Sequence, residues 1–400
     1  MSASASIPLS ATFPRKLRIA VFNRTFSPTG GGAERYSIAL VEQLAARHEI
    51  HVFAQEVDHQ WPGVSYHLVS APLRKPRWIN QLWFATATWW ATRRGFDVVH
   101  SHENTWHGDV QTVHVLPVRY SLFHGRSGWH RFLRGVKVVT SPRLLTYLGL
   151  EHLRYAARPG RQVVVTSDSL RTIMAASYPA SSSRLSVITP GITLPQAPVT
   201  PQRKGVVRGL LGLPANGPCL LFVANDFRKK GLPAVMAALA HLPAEVVLAV
   251  VGNAAQIPLF RERANDLKLG KRVFFLGSLK DVGPAYEAAD CLVHPTLEDT
   301  FAMVVLEAMA HGLPVVVSAS TYCGISGLLT QGANALILND PQDVSALARS
   351  LLDVLAQPAL ATRLGRGAAD FATHYQWREL ALRQEALYFA VLVEKTENQF

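Results

Sequence analysis

Residues 295–314 read PTLEDTFAMVVLEAMAHGLP, and they indicate more about the fold than any other stretch of the chain. The segment predicts the end of a buried strand, a short acidic loop and a helix that Gly312 and Pro314 terminate. Such a loop offers backbone N–H groups and the positive end of a helix to an anion. Asp299 and Glu307 flank it, and carboxylates accept hydrogen bonds from hydroxyl groups. This chemistry suits a nucleotide sugar, with its diphosphate at the helix end and its sugar hydroxyls on the carboxylates.

The surrounding residues repeat the arrangement of a buried strand followed by a helix. Runs rich in Val and Leu alternate with segments of helical period, and we predict strands at 219–224, 246–251, 273–276, 291–295 and 315–318. Buried strands separated by helices form a parallel sheet that is covered on both faces. Residues 205–375 are therefore predicted to be a Rossmann-like α/β domain. The acidic loop inside it makes this domain the candidate for binding the nucleotide sugar, the donor of the sugar.

The first half of the chain predicts a second domain of the same α/β class over residues 15–195. Its strands are expected at 17–23, 50–54, 97–100, 110–115, 163–167 and 185–188, with a helix near 34–46. Three prolines and few core residues place the boundary at 195–204. Two such lobes side by side make a cleft at the carboxyl ends of their strands, where open α/β sheets bind ligands.

Length and composition are those of a globular chain with two domains. Three cysteines lie in the second half without metal-ligand spacing, which is typical of reduced thiols in a cytosolic protein. No run approaches the roughly 18 apolar residues of a membrane span. Residues 1–14 form a leader of small residues without an apolar core, which we interpret as a disordered segment and neither a signal peptide nor an anchor.

The positive charge is concentrated in the first half. Residues 1–200 hold 22 Lys and Arg against 10 Asp and Glu, a net +12, whereas residues 201–400 hold 18 of each. Within the first half, residues 119–161 carry nine basic side chains and one acid, Glu151. A basic surface of this kind binds phosphate, whether of lipid head groups, nucleic acid or an anionic glycolipid.

Two loops between a strand and a helix are candidate phosphate sites. Residues 27–35, SPTGGGAER, place three glycines where backbone N–H groups approach an anion closely, although the pattern is not the dinucleotide fingerprint. Residues 225–231, NDFRKKG, place three cations at the carboxyl end of a strand, where they would neutralise a diphosphate leaving group. A plain tight turn and a solvated charged turn are the respective alternatives.

Four histidines at predicted strand ends are a further candidate, between His100 and His114. Imidazole is a common metal ligand, but this spacing matches no metal signature and few carboxylates lie nearby. Polar lining of the cleft and satisfied core histidines are the other interpretations. Of the four, we select His114 to contact the transferred sugar.

Two segments suit either a membrane surface or an ordinary protein. Residues 74–94 carry four tryptophans between basic ends, a pattern that fits an interfacial helix as well as a core helix. Residues 119–161 interleave aromatic and basic side chains and are the better candidate for a membrane or acceptor surface. A solvated surface is the alternative.

Taken in order, seven short motifs resemble the retaining family 4 glycosyltransferases of the GT-B fold over nearly the full chain. They are residues 30–34 (GGGAE), 187–191 (VITPG), 228–231 (RKKG), 275–279 (FLGSL), 288–290 (AAD), 299–314 and 375–377 (YQW). The last motif opens a helix, 376–396, that in this fold crosses back to the first lobe. The family has Glu at both ends of its E-x7-E motif, whereas this chain has Asp299 at the first position.

The resemblance assigns roles to individual residues. It implies that Glu307 binds the ribose hydroxyls, and that Asp299 binds the sugar and diphosphate together with the backbone of Thr300, Phe301, Ala302 and Met303. Lys230, with Arg228 or Lys229, would hold the diphosphate, and the backbone of Leu279 would meet the base. Gly31 and Gly32 would approach the donor phosphate or the acceptor from the first lobe, where His114 takes the place of a cleft histidine.

The implied reaction moves a sugar from a nucleoside diphosphate sugar to an acceptor hydroxyl with retention of configuration. The resemblance implies front-face attack, with no cofactor and with cations in place of a metal. No pair of carboxylates is spaced as nucleophile and acid, as a glycosidase requires.

The family includes a branch that builds lipopolysaccharide cores and other cell-surface glycans. The basic first lobe suits a phosphorylated glycolipid or polysaccharide acceptor, and we expect a cytoplasmic protein bound peripherally to the anionic inner face of the membrane. The alternatives are a nucleotide-sugar 2-epimerase or phosphorylase of the same fold, a degenerate transferase subunit and a nucleic-acid-binding protein. The last matches no known nucleic-acid module.

Overall fold

The computed structural model describes residues 15–28, 30–73 and 75–397, and its contacts divide the chain into two compact units. The described residues up to Thr189, together with the last helix from Trp377, form the first unit, and Pro190–Gln376 forms the second. The predicted disordered leader, residues 1–14, lies outside the described residues. The unit boundary falls before the predicted linker at 195–204, because the Ile192 N–H donates to the Tyr375 carbonyl of the second unit at 2.7 Å.

A seven-stranded parallel sheet forms the centre of the first unit. In sheet order its strands are β5 (Val64–Leu68), β3 (Glu49–Ala54), β1 (Arg18–Phe22), β6 (Val98–Ser101), β7 (Val110–Val113), β8 (Gln162–Val165) and β9 (Leu185–Val187). A separate short pair joins β2 (Thr25–Phe26) to β4 (Glu56–Val57). The inner strands are apolar runs, which is why their sequence predicts them.

The edge strand β5 was not predicted from the sequence. Val64 and Tyr66 are partly buried, whereas Ser65, His67 and Leu68 are exposed. A strand with one covered face and one neighbour has no continuous apolar run to identify it. Only its pairing with β3 defines it.

Seven helices surround the described part of the first sheet. They are α1 (Gly32–Ala45), α2 (Arg77–Thr92), α3 (Val118–Phe123), α4 (Gly128–Val139), α5 (Pro142–Arg154), α6 (Asp168–Ser177) and, from the C-terminus, α14 (Trp377–Glu397). The tryptophan-rich segment forms α2, whose buried face includes Phe84 and Ala85. Its remaining face exposes Trp83, Trp89 and Trp90, so the core-helix interpretation describes only one side of α2.

Helix α14 is held in the first unit by buried polar contacts. Tyr388 and His100 hydrogen-bond at 2.7 Å between the phenol oxygen and Nδ1. The Glu385 carboxylate, 1% exposed, lies 2.8 Å from the Arg47 guanidinium. The prediction that the last helix crosses back to the first lobe is therefore confirmed.

The second unit is built on a six-stranded parallel sheet, which confirms the prediction of two parallel-sheet α/β lobes. In sheet order its strands are β12 (Val273–Gly277), β11 (Val247–Gly252), β10 (Cys219–Ala224), β13 (Cys291–His294), β14 (Val315–Ser318) and β15 (Leu336–Leu338). Its helices are α7 (Pro201–Leu210), α8 (Leu232–Leu239), α9 (Ile257–Asp266), α10 (Gly283–Ala288), α11 (Met303–Ala310), α12 (Val344–Ala356) and α13 (Pro358–Thr373).

Two findings bear on the membrane and cysteine predictions. Among the described residues no single helix is long and apolar enough to cross a bilayer. Helices α12 and α13, which are bent by 98° relative to each other, would be long and apolar enough only if they are counted as one span. All three cysteine thiols are buried and form no disulfide. Burial raises the pKa of Cys219 to about 11, so this thiol behaves as a small apolar core residue.

One glycine brings together the two loops that leave β10 and β13. Gly231 precedes α8 with φ +90°, and a Cβ at this position would lie 2.0 Å from the Pro295 carbonyl oxygen. Nearby, the Leu297 N–H donates to the Lys229 carbonyl at 2.9 Å. Both the left-handed backbone and the close approach require glycine.

We predict that Gly231→Ala destabilises the second unit by more than about 3 kcal/mol, since a steric clash adds to the cost of a left-handed alanine. Gly332→Ala is the matched control, because Gly332 has φ +72° with nothing within 4 Å of its added Cβ. The control should cost about 1 kcal/mol. Urea unfolding measures both variants, and equal costs would show that the contact with Pro295 does not constrain the loops.

Candidate functional site

The loop after β10 and the loop after β13 join through ion pairs of two lysines. Lys230 Nζ lies 2.7 Å from Asp299 Oδ2 and donates to the Glu298 carbonyl at 2.8 Å. Lys229 Nζ lies 2.5 Å from Glu298 Oε1. Parallel strands bring their carboxyl ends to one edge of the sheet, so the predicted cation loop and acidic loop meet there.

The Asp299 carboxylate has four polar partners in this site. Its Oδ1 accepts from the N–H groups of Phe301 at 3.2 Å and Ala302 at 2.8 Å, while His294 Nε2 lies 3.3 Å from Oδ2. Burial acts to raise the pKa of this carboxyl, but the hydrogen bond with His294 and the charge of Lys230 hold it well below its usual range. Asp299 is therefore an ionised group that orders its own loop.

Two of the backbone N–H groups predicted for the diphosphate, those of Phe301 and Ala302, donate to Asp299 Oδ1. The donors that remain near them belong to the first turn of α11. Ala302 precedes the helix with φ +74°, a conformation rare for residues other than glycine, and no described side chain caps the helix. Phe301 is buried, and its carbonyl accepts from the Ile325 N–H at 2.9 Å. Thr300 and Met303 are partly buried on either side of this turn. The uncapped helix start leaves main-chain donors for an anion.

Glu307 lies on α11 and is bound from the neighbouring helix α10. The Tyr286 hydroxyl donates to Glu307 Oε2 at 2.6 Å. Leu279, predicted to meet the base, is partly buried four residues before α10 and packs on the same core. The segment from Leu279 through α10 therefore contains both the predicted base contact and the tyrosine that binds Glu307.

Arg228 stands apart from the two lysines. Its side chain is exposed, and within the described residues it has no acidic partner. The second unit therefore brings Lys229, Lys230 and Asp299 into direct contact and leaves Arg228 in solvent.

The remaining predicted residues lie in the first unit. Gly31 is the residue before α1, with φ −83° and ψ −169°, and Gly32 begins the helix. One turn later, the Tyr36 ring meets the His114 ring edge-on, with centroids 5.0 Å apart. Helix α1, which begins at the glycine turn, therefore contacts His114 through Tyr36.

His114 belongs to a chain of three imidazoles, of which that of His100 is buried and those of His102 and His114 are partly buried. His114 Nε2 and His102 Nδ1 are 2.9 Å apart, and the His102 ring lies 4.3 Å from that of His100. Burial, with the charge of Arg154 as a smaller cause, lowers the pKa of His114 to about 3. Within the described residues no group of three or more His, Cys, Asp or Glu side chains is arranged as metal ligands.

Three residues that contact the site were not predicted from the sequence. Tyr286 precedes the Ala288-Ala289-Asp290 motif, and His294 and Glu298 precede Asp299. Each is polar at the end of a strand or in the short helix before one, which is the signal that could have found them. Their roles depend on partners 5 to 69 residues away along the chain.

Two histidines, the buried His100 and the partly buried His107, make the stability of the first unit depend on pH. The pKa is lowered to about 3 by burial for both His100 and His107, against about 6.5 in the unfolded chain. Below pH 6.5 the unfolded chain takes up protons that the folded unit does not, so the free energy of unfolding should fall. The expected slope is about 1.36 kcal/mol per pH unit for each histidine.

Urea unfolding of the first unit between pH 7 and pH 4 measures this slope. His107→Gln should reduce it by about one histidine's share. The exposed His130 is the matched control, and His130→Gln should leave the slope unchanged because water solvates that ring in both states. Equal slopes in wild type and His107→Gln would show that His107 does not contribute to the pH dependence of stability.

Curated relatives of this chain share one name. The chain is 30% identical to a D-inositol 3-phosphate glycosyltransferase of Xylanimonas cellulosilytica over 57% of its own length and 58% of that protein, which is less than two thirds of the relative. It is 29% identical to D-inositol 3-phosphate glycosyltransferase 1 of Catenulispora acidiphila, over 73% and 72% of the two chains. With the Salinispora arenicola protein of the same name the identity is 28% over 91% and 90%.

Solved structures share the fold. WaaG, a glycosyltransferase involved in lipopolysaccharide biosynthesis, superposes with a TM-score of 0.79 at 22% identity, over 92% of this chain and 98% of that one. Sucrose-phosphate synthase from Thermosynechococcus elongatus gives 0.77 at 24% identity, over 94% and 100%. Anabaena HepE in complex with UDP-glucose gives 0.72 at 16%, over 93% and 99%.

The two halves of the chain match two protein-family models. Residues 30–195 match Glycosyltransferase Family 4, and residues 208–371 match Glycosyl transferases group 1. Each match falls within one of the two parallel-sheet units, apart from the few residues next to the unit boundary. The chain therefore belongs to the family 4 glycosyltransferases and has the GT-B fold.

Proposed function

We propose that this glycosyltransferase moves a sugar from a nucleoside diphosphate sugar to a hydroxyl of a phosphate-bearing glycolipid or polysaccharide. The proposed reaction keeps the anomeric configuration and uses no metal, and its product belongs to a cell-surface glycan such as a lipopolysaccharide core. The proposed setting is the cytoplasmic face of the membrane.

The observation that carries the donor proposal is the ion pair of Lys230 with Asp299, whose other oxygen binds the backbone that leads into α11. A diphosphate has two charged groups to neutralise, and both an ammonium group and helix N–H donors lie within this loop pair. Lys229 adds a second ammonium group beside Glu298. HepE, a structural neighbour, is described in complex with UDP-glucose, which supports a donor of this class.

The proposed chemistry follows from these groups. The acceptor oxygen attacks the anomeric carbon on the face from which the diphosphate departs, and a phosphate oxygen takes the acceptor's proton. Negative charge grows on the departing diphosphate, where Lys230 and the helix N–H groups stabilise it. Asp299 holds Lys230 in place by a 2.7 Å ion pair, so the cation needs no reorganisation during the reaction.

The acceptor proposal rests on the charge of the first unit. Residues 119–161 include α3, α4 and α5 and carry one acid and nine basic side chains, of which Arg154 and Arg161 are buried and the other seven are at least partly exposed. That acid, Glu151, is buried and accepts from the Val118 N–H at 2.6 Å, so it does not offset the surface charge. The curated relatives are named for D-inositol 3-phosphate, which carries a phosphate group. A phosphate on the acceptor suits this surface.

Helix α4 supports the membrane part of the proposal. Its exposed apolar side chains are spaced three and four residues apart and so share one face: Trp129, Phe132, Leu133, Val136 and Val139. Among them Trp129 is 67% exposed and stacks on Phe132 at 5.1 Å. The other face carries Arg131, Arg134 and Lys137. A helix with one apolar and one basic face suits the interface of an anionic bilayer.

Calorimetric titration with UDP, ADP, GDP and the corresponding nucleosides tests the donor site. Lys230→Met should weaken binding of the preferred diphosphate by about 30-fold and of its nucleoside by less than about 2-fold, because only the diphosphate contacts the ammonium group. Glu307→Ala should abolish both, because it removes the predicted ribose contact. Lys271→Met, an exposed lysine of the same unit, is the control.

Two outcomes would change this proposal. An unchanged affinity in Glu307→Ala would remove Glu307 from the site. Failure of the wild-type protein to bind any of the three diphosphates or a panel of their sugars would overturn the donor proposal itself.

Flotation with phosphatidylglycerol vesicles at low salt tests the membrane proposal. Trp129→Ser/Phe132→Ser should reduce binding by at least about 10-fold, since two exposed aromatic rings lose their burial in the bilayer. Leu210→Ser/Leu259→Ser removes two exposed apolar residues of the second unit and should bind as the wild type does. Wild-type protein that stays unbound at low salt would refute membrane association.

A further inference from the structure

Tyr286 makes a buried contact that no assigned role explains. It lies in α10, its side chain is 2% exposed, and its hydroxyl donates to Glu307 Oε2 at 2.6 Å. Glu307 is 21 residues away on α11, so the bond joins two helices. A hydrogen bond to an ionised carboxylate is short and strong compared with a neutral one.

The surroundings of Tyr286 fix the position of its hydroxyl. The His311 ring stacks on the Tyr286 ring, with centroids 5.3 Å apart and an angle of 25° between the planes. Tyr286 also packs in the core of the second unit with Leu306 and Ala308, which flank Glu307 in α11. Because the phenol ring and the helix backbone are both held by packing, the donor and its acceptor keep one geometry.

A fixed donor orients the carboxylate. The terminal bond of a glutamate side chain rotates over a broad range, whereas a bond to one oxygen sets the plane of the group and the direction of its remaining lone pairs. A carboxylate held in one plane can accept from two neighbouring ribose hydroxyls without the cost of ordering its side chain first. Helix α10 also follows Leu279 in the chain, so one segment reaches both the predicted base contact and Glu307.

We propose that Tyr286 is a positioning residue that sets the Glu307 carboxylate for the ribose hydroxyls of the donor, and thereby determines selectivity for ribonucleotides over 2′-deoxyribonucleotides. The inference rests on the proposed function, in which Glu307 binds the ribose. It gives the Tyr286 hydroxyl, rather than its ring, a role in recognition.

Tyr286→Phe separates the two contributions, because phenylalanine keeps the ring between α10 and His311 and removes only the hydroxyl. Calorimetry with UDP, ADP, GDP and their 2′-deoxy forms gives the ratio of ribo to deoxy affinity. We expect the wild type to prefer the ribo form of its nucleotide by about 30-fold, as a site built to bind a hydroxyl does. In Tyr286→Phe the ratio should fall to about 3-fold, with the affinity for the deoxy form changed by less than about 2-fold.

A double variant tests whether Tyr286 acts through Glu307. If it does, Tyr286→Phe/Glu307→Gln should have the same ratio as Glu307→Gln alone, because the hydroxyl no longer has a carboxylate to orient. Additive effects on the ratio would overturn the proposal. Tyr155→Phe, which removes a buried tyrosine hydroxyl from the first unit, is the matched control and should keep the wild-type ratio.

The outcomes distinguish this inference from the proposed function. A wild type that binds a ribonucleotide, with an unchanged ratio in Tyr286→Phe, removes the role of Tyr286 and leaves the donor site intact. A wild type that binds none of the six nucleotides removes both. Circular dichroism of each variant checks folding, and the ratio itself is insensitive to a uniform loss of active protein.

Discussion

The candidate site depends on the close approach of two loops at the carboxyl edge of the second sheet. Gly231 has no Cβ, and the Pro295 carbonyl occupies the space in which one would stand. This approach allows Lys230 to reach both the Glu298 carbonyl and the Asp299 carboxylate. Without it, one charge of this partly buried pair would lack its partner, which is unfavourable. Backbone packing and electrostatics therefore constrain the same few residues.

Asp299 illustrates how this constraint shapes the chemistry. The family has Glu at this position, and the resemblance assigned the aspartate to the sugar and diphosphate. In the structure Oδ1 accepts from the backbone of Phe301 and Ala302, while Oδ2 lies near Lys230 and His294. An aspartate side chain is one methylene shorter than glutamate, which suits these contacts within its own loop. Its effect on a donor would then act mainly through Lys230 and the helix N–H groups that it orders.

The first unit combines a basic exterior with buried polar side chains, some of them charged and paired, such as Glu385 with Arg47, and others neutral. Its basic residues are concentrated on α3, α4 and α5, where phosphate of an acceptor or a leaflet would meet them. Inside, burial lowers the pKa of His100 and His114 to about 3, so these rings are neutral near pH 7. His100 hydrogen-bonds with Tyr388, and His114 hydrogen-bonds with His102. Neutral rings avoid the cost of burying several like charges together.

The sequence by itself determined the two parallel-sheet α/β units, the helix that returns to the first unit and the main loops of the site. Apolar strand runs and the cations that directly follow β10 are local features, which a linear pattern retains. The need for glycine at position 231 comes instead from the Pro295 carbonyl, which only folding brings close. The edge strand β5, the bond from Tyr286 to Glu307, and the contacts of His294 and Glu298 were decided by tertiary structure. Each depends on a partner that only folding brings within hydrogen-bond distance, and sequence spacing carries no record of that distance.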